Sequence, residues 1–128
     1  MSKKIVLPCS MPGGLAAPFS IYFGRSEAFT KVTVEDESIS MVEVTQNFSG
    51  QTRGGSGVHA ANSVNELNPT DLVVGKIGPN AFKSLDISKI RVFELGKHST
   101  LTVKQVLDEF IAGNVKKLEK ANAVPHPE

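Results

Sequence analysis

Leu72-Val73-Val74-Gly75-Lys76-Ile77-Gly78-Pro79 is the stretch on which the fold turns. Three apolar residues in succession suit a strand covered on both faces. Gly78-Pro79 then opens a helix, because proline in the first turn gives up only an N–H that has no helical partner. A buried strand running straight into a helix is the unit from which α/β domains are built. The other segments fall in around it. Lys4 to Leu7, closed by Pro8, reads as a buried first strand. Thr30, Val32 and Val34 alternate with polar residues, Glu35-Asp36-Glu37-Ser38 is a polar turn, and Ile39 to Phe48 resumes the β pattern, which predicts a hairpin. Ser56 is placed to cap a helix carrying Val58, Ala61 and Val64, and Asn68-Pro69 stops it. Ile90 to Leu95 is the next strand. Thr102-Val103-Lys104-Gln105 is a capping box ahead of one apolar stripe, Val103, Val106, Leu107, Phe110 and Ile111, which Gly113 can close.

The order β, hairpin, α, β, α, β, α predicts a three-layer α/β domain. Its core is a five-stranded mixed sheet with one antiparallel strand and helices on both faces. Right-handed crossovers run the strands flanking each helix in parallel, and the hairpin opposes the second strand. Residues 1–115 form a single domain, and residues 116–128, Lys-rich and ending Val-Pro-His-Pro-Glu, read as a flexible tail.

Composition removes several functions. The chain has 128 residues, enough for one core without staples, and a single cysteine cannot form an internal disulfide. Zinc-finger spacing is absent. Fourteen basic against 13 acidic side chains give a net charge of +1, which argues against general nucleic-acid binding. No apolar run approaches a membrane span, and no signal peptide is evident, so a cytoplasmic location is expected.

The topology gathers the unusual residues at one edge. The loop after the first strand (Cys9 onward), the Gly50–Gly57 loop, the Lys76–Asn80 turn and the Gly96–Ser99 turn all lie at the carboxyl ends of parallel strands, where open α/β sheets bind ligands. Two helix starts, near Gly57 and Pro79, can aim backbone N–H groups there, with Arg25, Arg53, Lys76 and Lys97 nearby. An anion site is one reading; tight turns and solvated cations are the other. Gly55-Ser56-Gly57-Val58-His59-Ala60 has the form Gly-x-Gly-x-x-Ala, but it follows a hairpin rather than a first strand, and the Lys-Ser/Thr pair of a phosphate loop is missing. Cys9, His59 and His98 are candidate metal ligands, with Met11 as a weak thioether donor, though none shows short-range ligand spacing. Each also has an ordinary structural role open to it, the cysteine as a small buried hydrophobe. His126 lies in the tail. Ser56 lacks a nucleophile-elbow context, and no orienting group accompanies Cys9, so no enzyme is expected.

Phe23-Gly24-Arg25-Ser26-Glu27-Ala28-Phe29, Gly54-Gly55-Ser56-Gly57 and Gly78-Pro79-Asn80-Ala81-Phe82 occur in this order ahead of the Val103–Gly113 helix. Over residues 4–115 this resembles the dinitrogenase iron–molybdenum cofactor biosynthesis family. The resemblance implies a ribonuclease H-like motif without nuclease activity. It also implies binding of a molybdenum- or iron-containing sulfide cluster and its delivery to a protein acceptor. Arg25, Gly54, Gly55, Gly57, Gly78 and Asn80 are then the cofactor-binding positions, and Cys9, His59 and His98 the metal-binding ones. Relatives that carry the cofactor often have His before Phe-Gly; this chain has Tyr22, a poorer ligand. A metal-free module for a small anion or a protein, and a nucleotide-binding protein, are the alternatives.

Overall fold

The computed structural model describes residues 2–47, 56–96 and 100–123. Its strands are β1 (Ser2–Cys9), β2 (Ala28–Glu35), β3 (Ser38–Gln46), β4 (Asp71–Val74), β5 (Arg91–Glu94) and β6 (Lys116–Lys117). Its helices are α1 (Ser56–Leu67), α2 (Pro79–Ile87) and α3 (Val103–Ile111), with a single 3₁₀ turn at Phe23–Arg25. The sheet order is β3-β2-β1-β4-β5-β6. β1, β4 and β5 are parallel, and β2 and β3 form the antiparallel hairpin. As expected, β1, β3, β4 and β5 share one direction and β2 opposes them.

The strand count differs from the expectation. The sheet has six strands, not five, and two of them are opposed, because β6 pairs antiparallel with β5 at Phe93–Lys117 and Glu94–Lys116. Residues 116–123, read from sequence as tail, carry this strand. Leu118 is buried against Val92, with its N–H on the Val92 carbonyl (2.8 Å). Two lysines have little strand propensity, and the pairing is set by Leu118 finding the core.

Alternation along β1 divides the core in two. Val6 joins Phe29, Leu72, Val74 and Val92 under α1 and α2, through Ala60, Ala61, Val64, Ala81 and Leu85. Ile5 and Leu7 join Val32, Val34 and Val73 under α3, through Val103, Val106, Leu107 and Phe110. Val58, placed by its spacing on the apolar face of α1, is instead exposed. At the start of β4 the buried Asp71 carboxylate is paired with the Arg91 Nε at 2.7 Å and accepts from the Thr70 hydroxyl at 2.8 Å.

The capping box of α3 forms as read: the Gln105 N–H donates to Thr102 Oγ1 (3.2 Å), and the Thr102 N–H donates to Gln105 Oε1 (2.8 Å). The long loop after β1 completes that helix start. The Val103 N–H reaches the Ala17 carbonyl and the Lys104 N–H the Leu15 carbonyl, both at 2.9 Å. The N-terminus of α3 is therefore satisfied by protein and offers no donors to a ligand.

Leu118→Ala is expected to cost about 2–3 kcal/mol of stability, as a buried large-to-small change does. Urea unfolding would read it. A change under about 0.5 kcal/mol, the usual effect of a surface substitution, would mean that the segment after α3 is not part of the core.

Candidate functional site

Three segments meet at the carboxyl edge of β1 and β4. The Lys76 N–H donates to the Ile21 carbonyl at 2.7 Å, and the Phe23 N–H donates back to the Lys76 carbonyl at 3.1 Å, so that Tyr22 and Lys76 form a parallel bridge. Gly75 makes this approach possible. A Cβ there would stand 2.7 Å from Ile21 Cγ2 and 2.8 Å from the Ile21 carbonyl oxygen, closer than any side chain permits. The third segment is the C-terminal one. Asn122 accepts from the Ile77 N–H (2.8 Å) and donates to the Gly75 carbonyl and to Glu94 Oε2, each at 2.9 Å. The Asn122 and Ala123 N–H groups both reach the Ile77 carbonyl.

This bracing fixes two sequence-predicted positions. Gly78 is the N-cap of α2, in extended geometry, and supplies no capping side chain; Pro79 follows at the first turn. The partial positive charge of the helix start then faces outward with Asn80 exposed beside it. Arg25 ends the 3₁₀ turn and is exposed. Phe23, from the same turn, is buried against α1 residues, its ring centroid 5.6 Å from that of Phe29 and tilted to it by 39°, which anchors the turn to the core. Tyr22 projects with 61% of its surface exposed, and Met11 is exposed as well.

Cys9 is placed differently from a ligand. It is fully buried in the α3-side core, with Sγ 3.2 Å from Thr30 Oγ1. Its N–H donates to Ser26 Oγ (2.9 Å), so β1, Ser26 and Thr30 enclose it. Burial pushes the Cys9 thiol above its ordinary pKa, with the Glu27 charge acting in the same direction and the Thr30 hydrogen bond opposing them. The protonated, inert form is favoured.

His59 is exposed on the first turns of α1. Gly57 is in the first turn of the same helix. Gly54, Gly55 and His98 lie outside the described residues, as do Arg53, Lys97 and His126. Among the described residues no three His, Cys, Asp or Glu side chains gather in a metal-holding group. The edge also carries carboxylates: Glu27 accepts from the Met11 N–H at 2.8 Å, and Glu94 is held by Asn122. Sequence reasoning missed Asn122 altogether. Its only signal is an asparagine ahead of a proline-rich end, which is what a tail also looks like. A cavity lined by Lys3, Ile5, Asp36, Glu37 and Phe110 opens at the opposite end of the sheet, beside the hairpin turn and away from these residues.

The family described as Dinitrogenase iron-molybdenum cofactor matches residues 3–113. An uncharacterized protein of Methanocaldococcus jannaschii is 27% identical over 100 residues, covering 78% of this chain and 82% of its own length. The apo form of the orange protein from Desulfovibrio gigas is similar in structure, with a TM-score of 0.81 at 26% identity, over 94% of this chain and 97% of that one. A Thermotoga protein solved by NMR shares the fold, with a TM-score of 0.73 at 23% identity, over 94% and 97% of the two chains.

Two outcomes follow from this geometry. Gly75→Ala should destabilise the chain by about 2 kcal/mol, the scale of an overpacked site, and raise amide exchange at Lys76 and Phe23. A neutral substitution would show that the two segments do not approach so closely. Native Cys9 should resist aromatic disulfide reagents and react only on unfolding. Because its pKa is raised in the folded state, the unfolded chain loses that proton first as pH rises. Stability should therefore fall with pH on the alkaline side of the ordinary cysteine range, and Cys9→Ala should remove that slope.

Proposed function

The chain belongs to the dinitrogenase iron–molybdenum cofactor family, and on that premise we propose that it is a small non-catalytic carrier for an iron- or molybdenum-containing sulfide cluster or a related oxyanion. The observation that supports this most directly is the braced Gly75–Gly78 turn. It holds the uncapped start of α2 in the same stitched unit as the 3₁₀ turn that bears Arg25. Sulfide clusters and molybdate-type ions are anionic, and a helix start and a guanidinium each recognise anions, by N–H donors and by charge.

The donor set bears on how the cargo is held. A thiolate ligand has to be deprotonated and reachable, and Cys9 is neither. Exposed His59 is one imidazole, and Tyr22 is a hard oxygen donor unsuited to soft sulfide-bound metal. The arrangement therefore suits an intact anion held by hydrogen bonds and charge, through Arg25, Gly78 and Asn80, with Gly57 from the first turn of α1 and with Gly54 and Gly55, which precede it in the sequence, as further proposed contributors. His98 and His59 are the side chains left to contribute direct ligation. Weakly bound cargo of this kind can pass to a protein acceptor. The burial of Cys9, which takes the one soft thiolate donor out of reach, favours a second reading, a metal-free module for a small oxyanion.

The test is anaerobic reconstitution with ferrous iron, molybdate and sulfide, followed by metal analysis and visible spectroscopy. The carrier account expects a coloured protein with near-stoichiometric metal, about tenfold weaker retention in Arg25→Ala, and unchanged loading in Cys9→Ser. Saturable binding of molybdate or phosphate without cluster uptake would support the oxyanion module instead. Failure to bind any of them would exclude both.

A further inference from the structure

The two edges of the sheet are built in opposite ways. One ends in β6, two residues long and both lysine, followed by a segment folded back on the β4–α2 turn. Short, charged edges resist pairing with other strands. The other edge is β3, nine residues long, and among the described residues no strand lies on its outer side. Its middle is apolar and open: Met41 is 54% exposed, Val42 39% and Val44 43%. Glu43 is the only charged side chain on it, and Lys31 of the same chain stands 3.9 Å away, so the edge presents no unbalanced charge. A long apolar edge whose charge is already neutralised is a pairing surface rather than a guarded one.

We propose that β3 is the interface of a two-fold dimer in which two copies of this chain join their sheets edge to edge, antiparallel. A second copy is the occupant the two edges favour. It brings an edge strand of the same length and pattern, and once joined the edges left among the described residues are the lysine-tipped β6 strands. The assembly closes at two copies and does not propagate.

The register is constrained too. A two-fold axis normal to the sheet sets residues of the same facing opposite each other, so the axis must pass beside one residue of β3. At Glu43 it would set two carboxylates directly opposite, which is unfavourable. At Val42 the paired segment would run into the bulge, where Ser40 is the extra residue between the Thr33–Met41 and Val34–Ile39 pairs. At Val44 the regular segment from Met41 onward pairs throughout. Val44 then meets its own mate, and Glu43 faces Thr45 of the other copy.

Sedimentation velocity and light scattering on the full chain, over a range of concentrations, give the first reading: twice the chain mass is expected. Val44→Lys places two ammonium groups across the axis and should shift the mass to a single chain with unchanged circular dichroism. Val44→Cys should cross-link to a covalent dimer on mild oxidation, since the native Cys9 is buried and silent. A single-chain mass at every concentration would overturn the proposal. So would a dimer that survives Val44→Lys and fails to cross-link through Val44→Cys.

Discussion

The close approach of Gly75 to Ile21 is the contact on which the proposed site depends. With no Cβ at residue 75, the segment after β1 can lie against the end of β4 as if it were one more strand. That ties the Phe23–Arg25 turn to the loop leading into α2, and lets Phe23 drop between Phe29 and α1. Asn122 then satisfies the remaining polar groups of the turn. An ordinary side chain at residue 75 would push these elements apart by a few tenths of an ångström or more, and a packed interior passes such shifts on.

The helix starts divide the labour. That of α3 is consumed internally by its capping box and by the carbonyls of Leu15 and Ala17, so this part of the loop after β1 serves the helix start rather than a ligand. That of α2 has glycine at the cap and proline at the first turn, a combination that starts a helix without quenching its field. Glu27 and Glu94 moderate the charge at this edge, but each is engaged by an amide donor, the Met11 N–H and the Asn122 side chain.

What the sequence made legible was set by local rules. Residues 102–105 announce a capping box because both halves of it lie within one turn, and the hairpin is legible because alternation and a polar turn are neighbours in the chain. The Leu72–Pro79 stretch announces strand and helix for the same reason. What stayed hidden depended on distant partners. β6 is two lysines that become a strand only when Leu118 reaches the core, and Asn122 acquires its role from groups more than forty residues away. Cys9 sits at the chain position expected of a ligand, yet β-strand parity turns it inward to Thr30. The residue type and its place were readable; the face was not.

The central claim, an anion held at the braced edge, is tested most directly by following backbone amide resonances while molybdate and then tetrathiomolybdate are titrated in. The account predicts saturable shifts confined to Arg25, Lys76, Asn80, Ala81 and the first turn of α1, with Asp36 and Glu37 at the opposite end unmoved. Shifts centred on the Asp36–Glu37 end, or no saturable change at the edge with either anion, would contradict it.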